Sequence, residues 1–570
     1  MEKRWDFKAI PEEELIDSLS EEINVSKPMA TILCQRGIST FEQAKAFFRP
    51  QLSDLHDPWL MKDMDIAIDR INKAIENEEK ILIYGDYDVD GTTSVALVFG
   101  YLNKFYQKLD FYVPDRYKEG YGISQRGVDY AHQEGASLII ALDCGIKALD
   151  KVEYAKKFGI DFIICDHHNP GENLPKAVAV LDPKRKDCPY PFKELSGCGI
   201  GYKLLQALAQ TRNLPQEDLL EMLDLPAISS ACDIVPLNGE NRILVKYGLE
   251  LLNEEPRTGL KALIVTTARE GTIDVNSMVF GLGPRINAAG RIAHANQAVK
   301  LLLSEDEEEA QDIAKQVNNN NTLRKTFDES ITGEALALIE EHVAPDATSS
   351  VLYKSDWHKG IVGIVASRCI EKYYRPTIIL TESNGKATGS ARSVDGFDLY
   401  EAISECSEFL EQYGGHKHAA GMTLQIENIK GFAEKFEEVV SSRITPEQLV
   451  PKINIDLQID LDQINYNFYK VMRQMAPFGP ANMHPVFVSE VVCSEGHWKL
   501  LKEKHLKLSV RQEGTDRYFN AIGFSMEEFY DQIEPEVPFL ICYNIEENIF
   551  RGEKSLQLHL KDLKFPNHQA

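Results

Sequence analysis

The feature that most constrains the fold is a series of short, continuous apolar runs separated by amphipathic stretches of helical periodicity. The runs lie at 81–84, 137–143, 161–166 and 177–182, and stretches such as 92–107 and 146–159 separate them. Runs of this length predict strands buried on both faces, and their alternation with helices predicts βαβ units. We therefore expect an α/β fold with a doubly wound, mostly parallel sheet.

Acidic residues follow the predicted strands. Asp86, Asp143 and Asp166 each end one of them. Because the carboxyl ends of neighbouring parallel strands face one crevice, carboxylates far apart in sequence would converge there. Further candidates lie beside these strand ends or within an apolar stretch: Asp88, Asp90, His167, His168 and Asp233.

Such a set of side chains predicts bound metal. Carboxylates brought together without cations would raise one another's pKa. Oxygen ligands with an imidazole suit Mn²⁺ or Mg²⁺, and the histidine favours Mn²⁺. Two ions about 3.5–4 Å apart are a common device for phosphodiester hydrolysis. The alternatives are a turn or calcium loop, helix caps and structural histidines; an EF-hand needs a glutamate where this chain has Leu97.

The remaining sequence predicts additional domains. We expect a helical segment at 1–75, the parallel-sheet domain at 76–300 and a charged connecting helix at 301–345. Mixed strands and helices at 346–447 predict a second, smaller α/β domain. Alternating apolar and polar residues at 448–570 predict a small β-barrel.

Composition narrows the class of protein. With 62 basic and 88 acidic residues, the net charge of -26 argues against a protein that coats nucleic acid through bulk charge, although a local basic groove stays compatible with it. Ten cysteines without a CxxC pair indicate reduced thiols. No apolar run of membrane-spanning length occurs. We expect a soluble, cytoplasmic protein with no membrane partner.

Four motifs together resemble those of the DHH phosphoesterase superfamily, in the form found in RecJ-type single-stranded-DNA-specific exonucleases. They are GDYDVDG (85–91), ALDCG (141–145), DHH (166–168) and ACDIVPL (231–237). The stretches 114–122, 283–291 and 413–421 extend the resemblance, and the last, with GSARS (389–393), is similar to the DHHA1 substrate-binding domain. The resemblance implies a DHH domain at 76–300, a DHHA1 domain at 346–447 and an OB-like barrel at 448–570.

The resemblance also implies a role for each motif residue. The implied metal ligands for two Mn²⁺ or Mg²⁺ ions are Asp86, Asp88, Asp90, Asp143, His167 and Asp233, with Asp143 bridging the ions. Asp86 would be a ligand or a neighbour of one. His168 would face the scissile phosphate, and Asp166 would orient an imidazole.

Basic and glycine-rich stretches supply candidate substrate contacts. They are Arg116, Arg285, Arg291, Ser390, Arg392, Gly415 and His416. Arginine forks and glycine-rich backbone suit phosphate oxygens, whereas solvated turns and helix surfaces are the alternative interpretation. Arg116 is the candidate for gripping a 5′ terminal phosphate. In the predicted barrel, residues 498–524 carry six Lys/Arg against three Asp/Glu among aromatic residues, which predicts a platform for single strands.

The expected function is hydrolysis of single-stranded DNA from its 5′ end to mononucleotides, in DNA recombination and repair. The direction and the preference for DNA come from the resemblance. Two alternatives are a phosphodiesterase for oligoribonucleotides or cyclic dinucleotides, and a non-catalytic, Cdc45-like scaffold that binds single strands. We expect a monomer, to which a helicase and a single-strand-binding protein could present the strand.

Overall fold

The protein is described by a computed structural model that covers residues 2–268 and 271–565. Its internal contacts divide the chain into two units. The large unit consists of the described parts of 51–445 and 479–481, and the small unit of those of 1–50, 446–478 and 482–570. The first 50 residues therefore group with the C-terminal part of the chain, rather than forming a separate helical segment that extends to residue 75.

The N-terminal part of the small unit is mostly helical. Its elements are β1 (Arg4–Phe7), α1 (Glu13–Ile23), α2 (Lys27–Gln35) and α3 (Phe41–Phe48). Pro28 stands in the first turn of α2, where its missing N–H is harmless, and Thr40 caps α3 by accepting the Gln43 N–H.

The large unit opens with the predicted βαβ units. Its elements are α4 (Met64–Glu76), β2 (Lys80–Gly85), α5 (Val89–Asn103), β3 (Leu109–Tyr112), α6 (Gln125–Gln133), β4 (Ala136–Leu142), α7 (Leu149–Lys156), β5 (Asp161–Cys165) and β6 (Ala179–Leu181). The strands form one parallel sheet in the order β3-β2-β4-β5-β6. Ile81 and Ile83 of β2 pack in one core, and Leu82 and Tyr84 in another. Both faces are thus covered, which confirms the predicted doubly wound sheet.

Helices follow the sheet. They are α8 (Gly197–Arg212), α9 (Glu217–Leu220), α10 (Asp224–Cys232), α11 (Gly239–Glu254), α12 (Thr258–Thr266), α13 (Val275–Ser277), a π-helical turn (Met278–Leu282), α14 (Gly283–Ile292), α15 (Asn296–Leu303) and α16 (Glu307–His342). The 36 residues of α16 span about 54 Å. This is the predicted connecting helix, and it begins at the Asp306 cap rather than at residue 301.

A second sheet completes the large unit. Its elements are β7 (Ser350–Tyr353), α17 (Val362–Tyr373), β8 (Thr377–Ser383), β9 (Lys386–Arg392), α18 (Leu399–Ser404), β10 (Leu410–His416), β11 (Ala419–Leu424) and α19 (Ile429–Arg443). The order is β10-β11-β9-β8-β7, and only β7 and β8 run parallel. Its core includes Phe432 and Phe436 of α19, so the second, smaller α/β domain is confirmed.

The C-terminal part of the small unit is mostly β. Its elements are β12 (Lys452–Ile455), β13 (Leu457–Gln458), α20 (Tyr466–Arg473), β14 (Phe487–Leu501), β15 (His505–Arg511), β16 (Phe519–Gly523), β17 (Phe539–Phe550) and β18 (Glu553–Lys564). Strand β14 pairs with both β15 and β17, so β14, β15, β16, β18 and β17 form a closed ring of pairings. Strand β1 pairs with β12, and Ile32 of α2 shares the core of this sheet with Phe487.

Two further properties bear on the environment of the protein. Within residues 2–268 and 271–565, no helix has the length and apolar composition needed to cross a bilayer. All ten cysteines are unpaired thiols. Burial raises the pKa of several, including Cys165 at the end of β5.

Candidate active site

The candidate metal ligands meet at the carboxyl edge of the parallel sheet. Asp86 follows β2, Asp143 follows β4 and Asp166 follows β5, and these three strands are neighbours. Asp233 reaches the same edge from the C-terminus of α10. Because neighbouring strands are about 4.8 Å apart, strand-end residues separated by up to 80 positions in sequence, Asp86 and Asp166, come to one edge here, and α10 adds Asp233.

Two groups of side chains have donor atoms that all lie within 4.8 Å of one another. One consists of Asp90, His167 and Asp233, and the other of Asp143, His167 and His168. His167 belongs to both. Its Nε2 lies 3.1 Å from Asp143 Oδ1, 3.5 Å from Asp233 Oδ2 and 3.7 Å from Asp90 Oδ2.

Asp90 is fixed by the N-terminus of α8. The N–H groups of Gly197 and Cys198 donate to its Oδ2 and Oδ1 at 2.7 and 2.8 Å, and the Ser229 hydroxyl donates to Oδ1 at 2.7 Å. A helix N-terminus favours a negative charge at this place. Only glycine fits at 197, since a Cβ would lie 2.7 Å from the Cβ of Asp143.

Asp143 is buried among other carboxylates, where a bound cation would stabilise its charged form. It has a left-handed φ of 57°. Burial, followed by Asp90 and Asp88, raises the pKa of its carboxyl far above the usual range. Asp233 is affected in the same way, by burial and then Asp90.

The donor set fits a divalent metal. Carboxylate oxygens and an imidazole are the ligands that Mn²⁺ accepts, and the like charges gain most from a cation between them. In addition, Asp86 Oδ2 and His167 Nδ1 are buried without a hydrogen-bond partner. His167 belongs to both donor groups, and Asp86 stands in the same motif as Asp90.

Asp86 and Asp88 lie outside both donor groups. Asp88 caps α5, and its Oδ1 accepts the Gly91 N–H at 3.1 Å. Asp86 is fully buried; its Oδ1 accepts the Gly122 N–H at 3.3 Å, and burial and Asp88 raise its pKa well above the usual range. Two of the six expected ligands therefore belong to neither donor group.

Asp166 and His168 form a hydrogen-bonded pair. Asp166 Oδ1 lies 2.7 Å from His168 Nδ1, and its Oδ2 accepts the Ile146 N–H at 2.9 Å. Burial would raise the pKa of Asp166, but the hydrogen bond and charge of His168 outweigh it and hold that pKa at about 2. His168 Nε2 lies 3.1 Å from the Tyr121 hydroxyl, at an exposed position. Asp166 thus orients His168, as expected of a second partner of an imidazole.

Three arginines of the large unit gather beside the metal ligands. The guanidinium carbon of Arg116 lies 3.9 Å from the ring centre of Tyr87, and its Nε is buried without an acceptor. Arg291 donates to the Gly360 carbonyl at 3.0 Å, and Arg392 to the Ser390 hydroxyl at 2.6 Å. Burial, followed by Arg116 and Arg392, lowers the pKa of Arg291 to about 9.

Within the described residues, no carboxylate forms an ion pair with this arginine cluster, which we define as Arg116, Arg291 and Arg392. Other arginines of the large unit, such as Arg185 and Arg257, pair with aspartates at 2.5 Å. Among the described residues, none of the ion pairs includes a member of the cluster. Unpaired guanidiniums with buried nitrogens suit an anionic ligand.

The candidate substrate-binding residues of the second sheet lie on strands β9 and β10. Strands β9 and β10 flank β11, so Ser390 lies opposite Gly421, and Gly415 opposite Ala420. Gly415 has φ 151°, and a Cβ there would lie 2.3 Å from the Ala419 carbonyl. Burial lowers the pKa of His416, and the charges of Arg392 and His168 act on it in the same direction.

Arg285 is placed differently from the expectation of a strand-tracking residue. Its guanidinium donates to the carbonyls of Gly281 and Thr266 at 2.8 and 2.9 Å, and to Asn318 Oδ1 at 3.0 Å. These contacts connect α12, the π-helical turn and α16. These hydrogen bonds of the Arg285 guanidinium hold the helices together. The position of Arg285 in the 283–291 motif did not indicate this role.

Comparison with known proteins agrees with this arrangement. Family models for the DHH family N-terminal domain, the DHHA1 domain and the RecJ OB domain match residues 80–228, 347–442 and 455–562. The single-stranded-DNA-specific exonuclease RecJ of Bacillus subtilis is 39% identical over 98% of this chain and 70% of its own length. That of Escherichia coli is 31% identical over 93% and 95%. The chain belongs to the RecJ family.

Solved RecJ structures resemble the whole chain. The crystal structure of RecJ from Thermus thermophilus in complex with Mn²⁺ matches with a TM-score of 0.86 at 26% identity, over 99% of this chain and 80% of that one. The Mg²⁺ complex of the same protein matches with a TM-score of 0.79. The RecJ protein of Thermus thermophilus thus binds both metals that the donor set favours.

Several residues at this RecJ-family site were not among the predicted site residues. Tyr121 and Ser229 contact His168 and Asp90, respectively; Tyr121 lies in the 114–122 stretch and Ser229 just before the 231–237 motif, and these positions were the available signal. Asp182 follows β6 as the other aspartates follow their strands, so the same rule would have found it. Lys184 lies two residues further on, at the same edge of the sheet.

Proposed function

We propose that this RecJ-family chain is a metal-dependent exonuclease that hydrolyses single-stranded DNA from the 5′ end and releases mononucleotides, in DNA recombination and repair. The observation that carries the proposal is the juxtaposition of two donor groups around His167 with the arginine cluster. Similarity to RecJ exonucleases over 98% of the chain supports the same activity.

Two Mn²⁺ or Mg²⁺ ions are the proposed cofactors. Asp90, His167 and Asp233 would hold one, and Asp143 would bridge it to the other; Asp86 and Asp88 are proposed as further ligands or neighbours of ligands. When bound, the ions lower the pKa of a water molecule and neutralise charge on the reacting phosphate. The N-terminus of α8 keeps Asp90 oriented toward this place.

The Asp166–His168 pair is the proposed protein contribution at the scissile bond. Burial lowers the pKa of His168, and the hydrogen bond to Asp166 outweighs burial and raises it. A protonated imidazole can donate from Nε2 to a phosphate oxygen. As the water oxygen bonds to phosphorus and gives up a proton, the bond from phosphorus to the 3′ oxygen breaks, and that oxygen takes up a proton. A 5′ mononucleotide leaves.

The arginine cluster is the proposed receptor for the 5′ terminal phosphate, together with Ser390, Gly415 and His416. A terminal phosphate carries about -1.5 to -2 charges at neutral pH, more than a phosphodiester, so it gains more from unpaired guanidiniums. Each hydrolysis leaves a new 5′ phosphate on the shortened strand. The same receptor would then serve the next cycle, which gives the 5′-to-3′ direction.

The small unit is proposed to bind the strand at residues 498–524. Tyr518 and Phe524 are exposed there, and Lys499 and Lys507 are cross-strand partners on β14 and β15. Exposed rings with neighbouring cations suit stacked bases and phosphates.

The alternative functions are less well supported. The similarity to RecJ extends through the OB domain. We would not expect this of an oligoribonucleotide or cyclic-dinucleotide phosphodiesterase, or of a Cdc45-like scaffold. A helicase and a single-strand-binding protein as partners, the monomeric state and a cytoplasmic location stay predictions. The ten free thiols support a reducing compartment.

The test is digestion of 5′- and 3′-labelled single and double strands with Mn²⁺, Mg²⁺ or EDTA. We expect a 5′-labelled single strand to lose its label as mononucleotide at once, a 3′-labelled one to shorten gradually, and EDTA to stop both. Faster turnover of dinucleotides than of a 30-mer would favour the phosphodiesterase. Strand binding without metal-stimulated cleavage would favour the scaffold.

A further inference from the structure

The carboxyl edge of the parallel sheet has an ordered distribution of charge. Arg116 follows β3, the metal-binding carboxylates follow β2 and β4, the Asp166–His168 pair follows β5, and Lys184 follows β6. Since adjacent strands are about 4.8 Å apart, β3 and β6 are roughly 19 Å apart. Cations therefore stand at both ends of this edge, with the metal ligands between them.

The loop that presents Lys184 is held independently of the lysine ammonium. The fully buried Asp182 accepts the Lys184 N–H through Oδ1 at 2.7 Å. Arg185 is 7% exposed and donates to Asp63 Oδ2 and to the Val180 carbonyl, both at 2.5 Å. Because backbone and neighbours fix the loop, the Lys184 ammonium is not needed to hold it in place.

Lys184 lies just beyond the carboxyl end of β6, the strand next to β5, whose carboxyl end carries Asp166, His167 and His168. A protonated ammonium cannot ligate a metal, but it can bind an anion. Its partner in the protein is Glu194, whose Oε2 lies 3.3 Å from Nζ and whose side chain is 44% exposed.

We propose that Lys184 binds the phosphate that follows the scissile one, on its 3′ side. The inference rests on the proposed function: with the 5′ phosphate at Arg116 and the scissile phosphate at the metal ligands, the strand continues toward β6. Lys184 is a positioning residue, and Glu194 holds its ammonium when no strand is bound.

Substrate length provides the sharpest test. A 5′-phosphorylated dinucleotide has a scissile phosphate but no following one, whereas a trinucleotide has both. For Lys184→Gln we expect KM to rise about three- to tenfold on the trinucleotide and longer strands, as for loss of one ordinary hydrogen bond. KM on the dinucleotide, and kcat on both, should stay within twofold of wild type.

Salt dependence and matched variants complete the experiment. The slope of log KM against log salt should fall by about 0.7 on long strands, the value for one phosphate contact of a single strand. Lys184→Arg should restore the wild-type KM. Lys186→Gln removes the same charge from the same loop at an exposed position and should change KM by less than twofold. Glu194→Gln should lower KM on the trinucleotide, provided that Lys184 is present.

The outcomes separate this inference from the proposed function. If wild type degrades single strands and Lys184→Gln affects the dinucleotide and the trinucleotide equally, only the inference is overturned. Equal effects of Lys184→Gln and Lys186→Gln would overturn it as well. If wild type degrades no single strand, both proposals fall together. Melting temperatures of the variants show whether each one is folded.

Discussion

Two regions of the large unit each gather charges of one sign. The metal edge brings together Asp90, Asp143 and Asp233, and the arginine cluster lies beside it. Burial and like-charged neighbours raise the pKa of Asp143 and lower that of Arg291 to about 9. Elsewhere the same unit neutralises its buried charges: Lys203 Nζ lies 2.7 Å from Glu240 Oε1, and both side chains are at most 1% exposed.

The difference indicates which charges serve the fold and which serve a ligand. The buried pair is complete within the protein, whereas we propose that opposite charges from outside complete the two like-charged regions, metal cations in one case and phosphate in the other. Removing a charge should therefore have opposite effects on stability in the two situations. The backbone differs as well: Asp143 and Ile234 at the metal edge have left-handed φ values of 57° and 62°, and the three arginines do not.

The largest effect is expected from Asp143→Asn. Loss of the carboxylate that we propose to bridge the two ions should lower kcat by at least about 10³-fold with Mn²⁺. In EDTA the free energy of unfolding should rise, because one of the buried like charges is gone. Asp69→Asn, an exposed position on α4, is the control for both measurements. Near-normal activity, or lower stability in EDTA, would contradict the interpretation of the metal edge.

The buried pair should respond in the opposite direction. Burial lowers the pKa of Lys203 and the Glu240 carboxylate offsets that effect. Glu240→Gln leaves the ammonium buried without its counter-charge, so the free energy of unfolding should fall by about 3–5 kcal/mol. Urea unfolding measures it, and Glu250→Gln, at an exposed position on the same helix, should have little effect. An unchanged midpoint would show that the ammonium finds another partner.

Asp182 adds a test of pH dependence at the metal edge. Burial raises its pKa from 3.8 to about 7. The folded state therefore favours the protonated form, and this stability is present below about pH 4 and lost as pH rises through 7. Asp182→Asn should match wild type near pH 4 and exceed it at pH 8 by up to about 4 kcal/mol. Unfolding in EDTA across this range measures the difference; a constant difference would contradict the raised pKa.

The sequence predicted the parts of this picture that depend on local pattern. Apolar runs ending in Asp86, Asp143 and Asp166 sufficed for the parallel sheet and for the convergence of its strand ends. The contacts that orient Asp90 could not be predicted from pattern, because its donors Gly197, Cys198 and Ser229 come 107 to 139 residues later from two other helices.

The sequence motifs also did not predict the roles of side chains that lie away from the strand ends. Asp88 stands in the same motif as Asp90 but caps α5, and Arg285 stands in the same motif as Arg291 but bonds to Thr266 and Asn318. Motif membership does not distinguish a side chain that faces the cleft from one that faces the protein, since both depend on elements distant in sequence.

The role of the arginine cluster can be tested by comparing substrates with a 5′ phosphate and with a 5′ hydroxyl. Arg392→Gln should raise KM about 10- to 100-fold on 5′-phosphorylated strands, the loss expected for a charge-assisted contact. On 5′-hydroxyl strands KM should change by less than threefold. Arg285→Gln is the comparison, and it should lower the melting temperature without altering the preference for a 5′ phosphate. Equal effects of Arg392→Gln on both substrates would contradict the terminal-phosphate receptor.

The smallest effect concerns backbone strain beside Asp233. Ile234 is 74% exposed and has φ 62°, a conformation that β-branched residues rarely adopt and asparagine tolerates. Ile234→Asn should therefore raise the free energy of unfolding by about 1 kcal/mol, since little apolar burial is lost. Ile66→Asn, at an exposed position with ordinary helical backbone on α4, should give no such gain. If the two variants unfold alike, the metal edge stores no strain at Ile234, and its difference from the arginine cluster is one of charge alone.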